Sequence, residues 1–148
     1  MDKGLNIKFL WSDPDVVEID ISASSDRFSG RARAYIGLDD LNEAALKIKG
    51  FPRSNSDQRD LAFGTFDPKF AGGGMSLHFF CKDLAGHIIV VVRIQSEPLP
   101  DCNHWSAPPE SVHFFAYVEA HAIDVFVKEL TNFELNAESS AFLAFIDF

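Results

Sequence analysis

Hydrophobic and polar residues alternate with a period of two along most of this chain, which is the pattern of β-strands that bury one face. In the first such segment, one face is expected to carry Leu5, Ile7, Phe9 and Trp11, and the other Asn6, Lys8 and Leu10. Six further segments show related patterns. The predicted strands cover residues 5–11, 16–23, 28–36, 61–66, 75–82, 87–95 and 111–119.

Two segments instead repeat their apolar residues every three or four positions, and this spacing predicts amphipathic helices. The first helix is expected at about residues 39–49, where Asp40 and Glu43 have the spacing of a capping box and Gly50 follows the end. The second is expected at residues 121–133, with a continuous apolar stripe. The members of the stripe are Ile123, Phe126, Val127, Leu130 and Phe133.

The order of these elements predicts an α+β fold, with a mainly antiparallel sheet of about six or seven strands and two helices on one face. The second and third strands are expected to form a hairpin in which acids face bases. The four residues concerned are Glu18, Asp20, Arg31 and Arg33. The strand at 87–95 is apolar on both faces, so we expect it inside the sheet and covered on both sides. Residues 141–148 are apolar and form either a short strand or a packed tail.

Length and composition describe an ordinary globular protein. A chain of 148 residues has the size of one domain, and we predict a single domain over residues 1–148. Its two cysteines are too few for a disulfide framework. The first twenty residues interrupt their apolar stretches with charges, so neither a signal peptide nor a membrane span is predicted. A cytoplasmic protein is therefore expected.

Negative charge is concentrated in the last third of the chain. Residues 101–148 carry eight carboxylates and a single base, Lys128, so most of the formal net charge of −9 lies there. This acidity disfavours nucleic acid and anionic lipid as partners, and it favours a basic protein. Trp105, in a proline-rich loop, adds an aromatic anchor beside the acids. The candidate partner-binding residues are Trp105, Glu110, Glu119, Asp124 and Glu129.

Three motifs suggest chemistry, but each has a simpler structural explanation. Histidines that converge on a sheet can bind zinc, although single exposed histidines are the simpler interpretation of His78, His87 and His113. Cys102 and His104 are a nucleophile and a base, yet neighbouring loop residues rarely reach each other in the required geometry. The glycines at 72–74 precede a strand, which favours a turn over a phosphate loop. We therefore predict no catalytic residue, metal or cofactor.

Several short motifs together resemble a family of small, functionally uncharacterised bacterial domains. They are Phe28 and Gly30 leading to Tyr35, residues 38–41, the turn at 83–87 before a Val/Ile run, and the loop tryptophan, Trp105. The likeness spans about residues 28–133. Domains of this kind are often immunity proteins that neutralise a secreted toxin, and they are acidic where the toxin is a basic nuclease. The resemblance thus implies a binding protein, with no catalytic residues to carry over.

The leading hypothesis is a non-enzymatic, acidic protein-binding domain of the immunity type that contacts a basic partner. The alternative is a small-molecule-binding domain or enzyme with an aromatic-lined pocket. That pocket would draw on Phe79, Phe114, Phe115 and Tyr117. A third hypothesis is a homodimer in which residues 141–148 pair with a second copy along an exposed edge.

Overall fold

The described part of the chain forms eight strands and two helices. The structure is a computed structural model and describes residues 2–67, 69–98 and 109–147. The elements are β1 (Gly4–Ser12), β2 (Val17–Ser24), β3 (Ser29–Ile36), α1 (Asp40–Ile48), β4 (Gln58–Gly64), β5 (Gly74–Cys81), β6 (Ile88–Gln95), β7 (Ser111–Val118), α2 (Ala120–Thr131) and β8 (Ser140–Ala144). The predicted α+β class is confirmed, with eight strands where six or seven were expected. The C-terminal apolar segment contributes a strand, β8.

The strands form two antiparallel four-stranded sheets. Sheet A has the order β3-β2-β1-β8, and sheet B has the order β4-β5-β6-β7. Each sheet ends with a strand that leads into a helix, β3 into α1 and β7 into α2. Three strands of sheet A precede α1, and the fourth, β8, follows α2 and pairs with β1. Strand periodicity does not show where one sheet stops, so the sequence predicts the strands without predicting this division.

One apolar core joins both sheets and both helices. Helix α1 packs against β4 and α2, and α2 packs against β8. Strand β6 lies between β5 and β7, as its two apolar faces predict. Phe126 and Ile123 of α2 are fully buried, and the burial of each side chain stabilises the fold by about 1.5–3 kcal/mol. In the described part of the chain, neither helix is long and apolar enough to cross a membrane.

The β2–β3 hairpin is confirmed, and the prediction that acids lie opposite arginines holds for Asp20 but not for Glu18. Asp20 lies opposite Arg33 and accepts two hydrogen bonds from Arg31, at 2.9 and 2.6 Å. Glu18 lies opposite Tyr35, where an arginine was expected. The ion pair therefore runs diagonally between the two strands, from Asp20 to Arg31.

The predicted capping box of α1 is wrong. The N-cap residue is Asp39, and its side chain makes no capping hydrogen bond. Asp40 lies inside the first turn, where its carboxylate accepts a hydrogen bond from the backbone N–H of Gly37 at 2.7 Å. This hydrogen bond holds the turn that leads into α1. The spacing of Asp40 and Glu43 had instead predicted that the two side chains cap each other's backbone N–H groups.

Sheet B meets β3 at a tightly packed corner. Strand β3 contacts all four strands of sheet B. Gly64 has a positive φ of 73°, and a Cβ there would lie 2.2 Å from the carbonyl oxygen of Gly73 and 2.8 Å from the Cβ of Ala34. Only glycine allows both the backbone conformation and this approach. The glycines at 72–74 thus lie beside a tightly packed corner of the fold. The sequence had predicted only that they form a turn.

Candidate functional site: an open sheet edge beside an aromatic groove

Two of the four sheet edges are closed by side chains from neighbouring elements. An edge strand presents N–H and C=O groups to which another strand can bond. On β8, the outward N–H of Phe142 donates to Oε1 of Glu129 in α2, at 2.9 Å. On β3, the N–H of Arg33 donates to Oε2 of Glu97 at 2.5 Å, and its carbonyl accepts from the N–H of Gly73 at 2.6 Å.

A third edge, β4, lies against helix α1. Arg59 of β4 donates to the carbonyl oxygens of Lys47 and Lys49 at 3.3 and 2.7 Å, at the end of that helix. Its guanidinium also pairs with Asp57 at 2.8 Å and lies over the ring of Phe51. The guanidinium and the neighbouring Arg53 N–H lower the pKa of Asp57 below its ordinary value. This cluster holds α1 and β4 together.

Among the described residues, the fourth edge, β7, is open over its centre. On the β6 side, Ser96 donates its N–H to the carbonyl of Glu110 at 2.8 Å. On the outer side, Ile146 donates its N–H to the carbonyl of Tyr117 at 2.8 Å, as an isolated antiparallel bridge. Because backbone groups alternate along a strand, His113 and Phe115 also direct theirs outward. No hydrogen bond from the described residues reaches those outward groups.

A groove of about 700 Å³ runs along this open edge. Residues 113–117 form one wall, while the β2–β3 turn at 25–28 and residues 145–147 form the other. Phe28 and Phe115 are 55% and 56% exposed. Below them, the buried rings of Phe114 and Phe145 pack edge to face with centroids 6.5 Å apart. The groove therefore combines apolar rings with backbone groups that receive no hydrogen bond from the described residues.

An ion cluster fixes the far wall of the groove. Lys3 pairs with Asp147, and it lies 3.1 Å from Asp26. The hydrogen bond between Lys3 and Asp147 is the main cause of the raised pKa of Lys3 and of the lowered pKa of Asp147. These contacts tie the segment after β8 to the chain's first residues and to the β2–β3 turn. Arg27 adds a second cation to the lining of the groove.

Two smaller depressions adjoin the groove at Ile146, which lines all three. A cleft of about 320 Å³ between α2 and β8 is lined by Glu119, Glu129 and the half-exposed Val125. A second depression, of about 250 Å³, is lined by Glu119 and His87. Carboxylates thus border the apolar groove on the side that faces α2.

The predicted partner-binding residues are dispersed by the fold. Glu110 and Glu119 are both exposed and flank β7, one at each end. Glu119 and Glu129 share the cleft between α2 and β8. Asp124 is exposed on α2, outside the lining of that cleft. Trp105 lies outside the described residues.

The histidines of sheet B bind separate carboxylates. Nδ1 of His78 lies 2.7 Å from Asp60, and Nδ1 of His87 lies 2.7 Å from Asp83. The hydrogen bond from His87 is the main cause of the lowered pKa of Asp83. His113 lies opposite Arg93, in a different row of the sheet. Among residues 2–67, 69–98 and 109–147, no three His, Cys, Asp or Glu side chains are placed to hold a metal ion.

The cysteines add no nucleophilic site to the described structure. Burial raises the pKa of the Cys81 thiol, which disfavours the reactive thiolate. Cys102 and His104, the candidate nucleophile and base, lie outside the described residues.

Sequence patterns identified part of the groove. Phe114, Phe115 and Tyr117, three of the four aromatic residues proposed for a pocket, line it. The fourth, Phe79, is fully buried in the core. Phe28 and Ile146 were missed because they reach the groove through the packing of sheet A beside β7. The exposed alternation of His113, Phe115 and Tyr117 was the one local signal of this surface.

Known proteins add no further indication of function. No protein-family model, curated protein or solved structure matches the chain.

Proposed function

We propose that this protein is a non-enzymatic binding domain whose groove along β7 receives a basic protein partner. The observation that carries the proposal is the open edge of β7, bordered by the half-exposed rings of Phe28 and Phe115. Soluble proteins normally cover or blunt their sheet edges, and the described fold does so at β3, β4 and β8. An edge left open beside exposed aromatics indicates an interaction surface.

The aromatic rings supply the apolar part of the contact. Interface energy is concentrated in a few buried anchors, among which aromatic residues are frequent. Phe115 packs edge to face on Tyr117, with ring centroids 5.9 Å apart, and a phenylalanine side chain has only two rotatable torsions. A partner that covers Phe28 and Phe115 would gain apolar burial with little loss of side-chain entropy.

Electrostatics favours a basic partner. Within the groove, Asp26 and Asp147 balance the cations Lys3 and Arg27. The excess of negative charge comes from Glu119 and Glu129, which line the adjoining depressions. With a formal net charge of −9 on the whole chain, a basic protein would be attracted over a longer range than these contacts. An immunity protein that neutralises a basic toxin is the specific form of this function that the sequence resemblance suggests.

The small-molecule alternative is favoured by the volume of the groove, because ligand sites commonly enclose about 300–1,000 Å³. The exposure of its walls favours a protein instead. Small ligands are usually buried over about 70–90% of their surface, whereas Phe28 and Phe115 are more than half exposed. An extended protein segment covers such an open groove better than a compact ligand.

The proposal is tested by purification of the tagged protein from its host at low and high salt, followed by mass spectrometry. We expect a stoichiometric basic protein that is lost at high salt. Its affinity should fall at least about tenfold for Phe115→Ala, which corresponds to about 1.4 kcal/mol. Phe70→Ala is the matched control, because Phe70 is 61% exposed and does not line the groove. Equal affinity of the two variants, or a bound metabolite without a protein, would contradict the proposal.

A further inference from the structure

The open edge of β7 has the backbone geometry for an added strand. The outward N–H and C=O groups of His113 and Phe115 are two positions, or about 7 Å, apart along the strand. Ile146 already bonds to the neighbouring Tyr117 in antiparallel fashion on this side. A partner strand that follows the direction of residue 146 would continue the same ladder along β7.

The groove also determines which side chains such a strand would carry. Successive residues of an added strand point to opposite faces of the sheet. One set would lie beside the exposed Phe115, and the other would enter the groove above Phe114 and against Phe28. Both sets meet aromatic surface near the middle of β7, so apolar or β-branched residues suit the centre of the segment.

Carboxylates mark the two ends of this strand. Glu110 precedes β7 and Glu119 follows it, about 30 Å apart in an extended chain. Both side chains are exposed, and the carboxylate of Glu119 makes no capping bond to helix α2. A segment with a basic residue at each end would therefore place opposite charges together at both ends of the ladder.

The same charges disfavour a second copy as the occupant. Antiparallel pairing of β7 with its own copy would bring Glu110 of one strand beside the Glu119 end of the other. Like charges across adjacent strands are destabilising. The complementary occupant is a basic segment of a different protein.

We infer that the partner binds by strand addition, with an extended segment paired to the outer edge of β7. The segment is apolar or β-branched at its centre and has Lys or Arg at both ends. This inference rests on the proposed function and specifies how the partner is recognised. Main-chain hydrogen bonds would supply register and affinity, and the alternating side chains would supply specificity.

A synthetic peptide tests the mode of binding. The probe is a peptide of about ten residues that alternates valine and threonine between terminal lysines, so that it spans β7. Amide hydrogen exchange of the labelled protein is followed by NMR. Saturating peptide should slow exchange at His113 and Phe115 at least about tenfold, because hydrogen-bonded amides open less often. Phe114, whose N–H faces β6, should change little.

Peptides with N-methyl groups on the bonding edge, or with terminal glutamates, should bind at least about tenfold more weakly.

Two protein variants separate the backbone contact from the side chain. His113→Pro removes the outward N–H together with the imidazole but leaves the hydrogen bonds to β6 in place, and proline is tolerated at such edge positions. His113→Ala removes the imidazole and keeps the N–H. We expect the proline variant to lose at least about tenfold in peptide affinity and the alanine variant to retain it. Circular dichroism verifies that each variant is folded, and the N-methylated peptide gives the same answer without altering the protein.

The outcomes separate this inference from the proposed function. A host partner that depends on Phe115 but leaves the His113 and Phe115 amides unprotected would overturn strand addition and leave the binding function standing. Lack of peptide binding, or equal binding of the N-methylated peptide, would also overturn strand addition. Protection of His113 that grows with protein concentration in the absence of peptide would instead identify a second copy as the occupant.

Discussion

The carboxylate of Glu129 in α2 accepts a hydrogen bond from the backbone N–H of Phe142 in β8, at 2.9 Å. Replacement by alanine would leave that partly buried N–H without a partner, so we expect Glu129→Ala to lower the free energy of unfolding by about 1–2 kcal/mol. Glu129→Gln retains an oxygen acceptor and should lose less. Urea denaturation measures both, with Asp124→Ala on the exposed face of α2 as the control.

The same contact protects the edge of β8 from other strands. A second copy that pairs with β8, as in the homodimer hypothesis, would have to displace Glu129 from Phe142. Glu129→Ala should therefore increase self-association, which sedimentation velocity over a range of concentrations detects. If the alanine and glutamine variants were equally stable and equally monomeric, the hydrogen bond would have neither role.

The corner between β3 and sheet B leads to a second prediction. Gly64→Ala places a Cβ in the left-handed region and 2.2 Å from the carbonyl oxygen of Gly73. We expect a loss of at least about 2 kcal/mol in unfolding free energy, because backbone strain and a backbone clash add. Gly86→Ala is the matched control: its φ is 80°, but nothing lies within 4 Å of its Cβ, so only the conformational strain of about 1 kcal/mol applies. If both variants lost similar stability, close packing would be excluded as the reason why position 64 requires glycine.

The strands and helices were predictable because their signals are local. The alternation over Ser111–Val118 located β7, and the apolar stripe located α2. The edges of the sheets were not predictable, since whether Phe115 has a neighbouring strand depends on residues far away in the chain. For the same reason, the acidity of the C-terminal third did not reveal that Glu129 bonds to Phe142.

The aromatic surface was predictable in part for a related reason. Phe114, Phe115 and Tyr117 belong to one strand, so their common location follows from the strand itself. Phe28 and Ile146 come from the β2–β3 turn and the segment after β8, and they join the groove only through tertiary packing. Sequence patterns therefore recognise the wall of a groove that one strand builds, but not the opposing wall.

The Asp57–Arg59 pair predicts a pH dependence of stability. Hydrogen bonds from Arg59 and from the N–H of Arg53 lower the pKa of Asp57 in the folded protein. In the unfolded chain this carboxyl has an ordinary pKa of about 3.9. The pair therefore stabilises the fold fully above that value, and the stabilisation is lost as the pH falls through the lower folded pKa.

Asp57→Asn should be less stable than the wild type at neutral pH, and the difference should shrink below about pH 4. Denaturation in urea across about pH 2–7 measures both curves. Asp15→Asn, at an exposed position in the β1–β2 turn, serves as the control. A constant difference between Asp57→Asn and the wild type at every pH would mean that the side chain acts through packing, with no contribution from its charge.

The placement of the acids, as distinct from their number, is tested by two double variants. Glu110→Gln with Glu119→Gln removes the charges at the ends of β7, and Glu134→Gln with Glu138→Gln removes two charges from the loop before β8. At low salt we expect the first pair to slow association with the basic partner about three- to tenfold. The second pair should have a smaller effect, since Glu134 and Glu138 do not line the groove and the interaction between charges weakens with their separation. Stopped-flow fluorescence measures the rates. Equal slowing by both pairs would mean that the net charge of the chain attracts the partner, whatever the positions of Glu110 and Glu119. The basic ends assigned to the added strand would then lose their support.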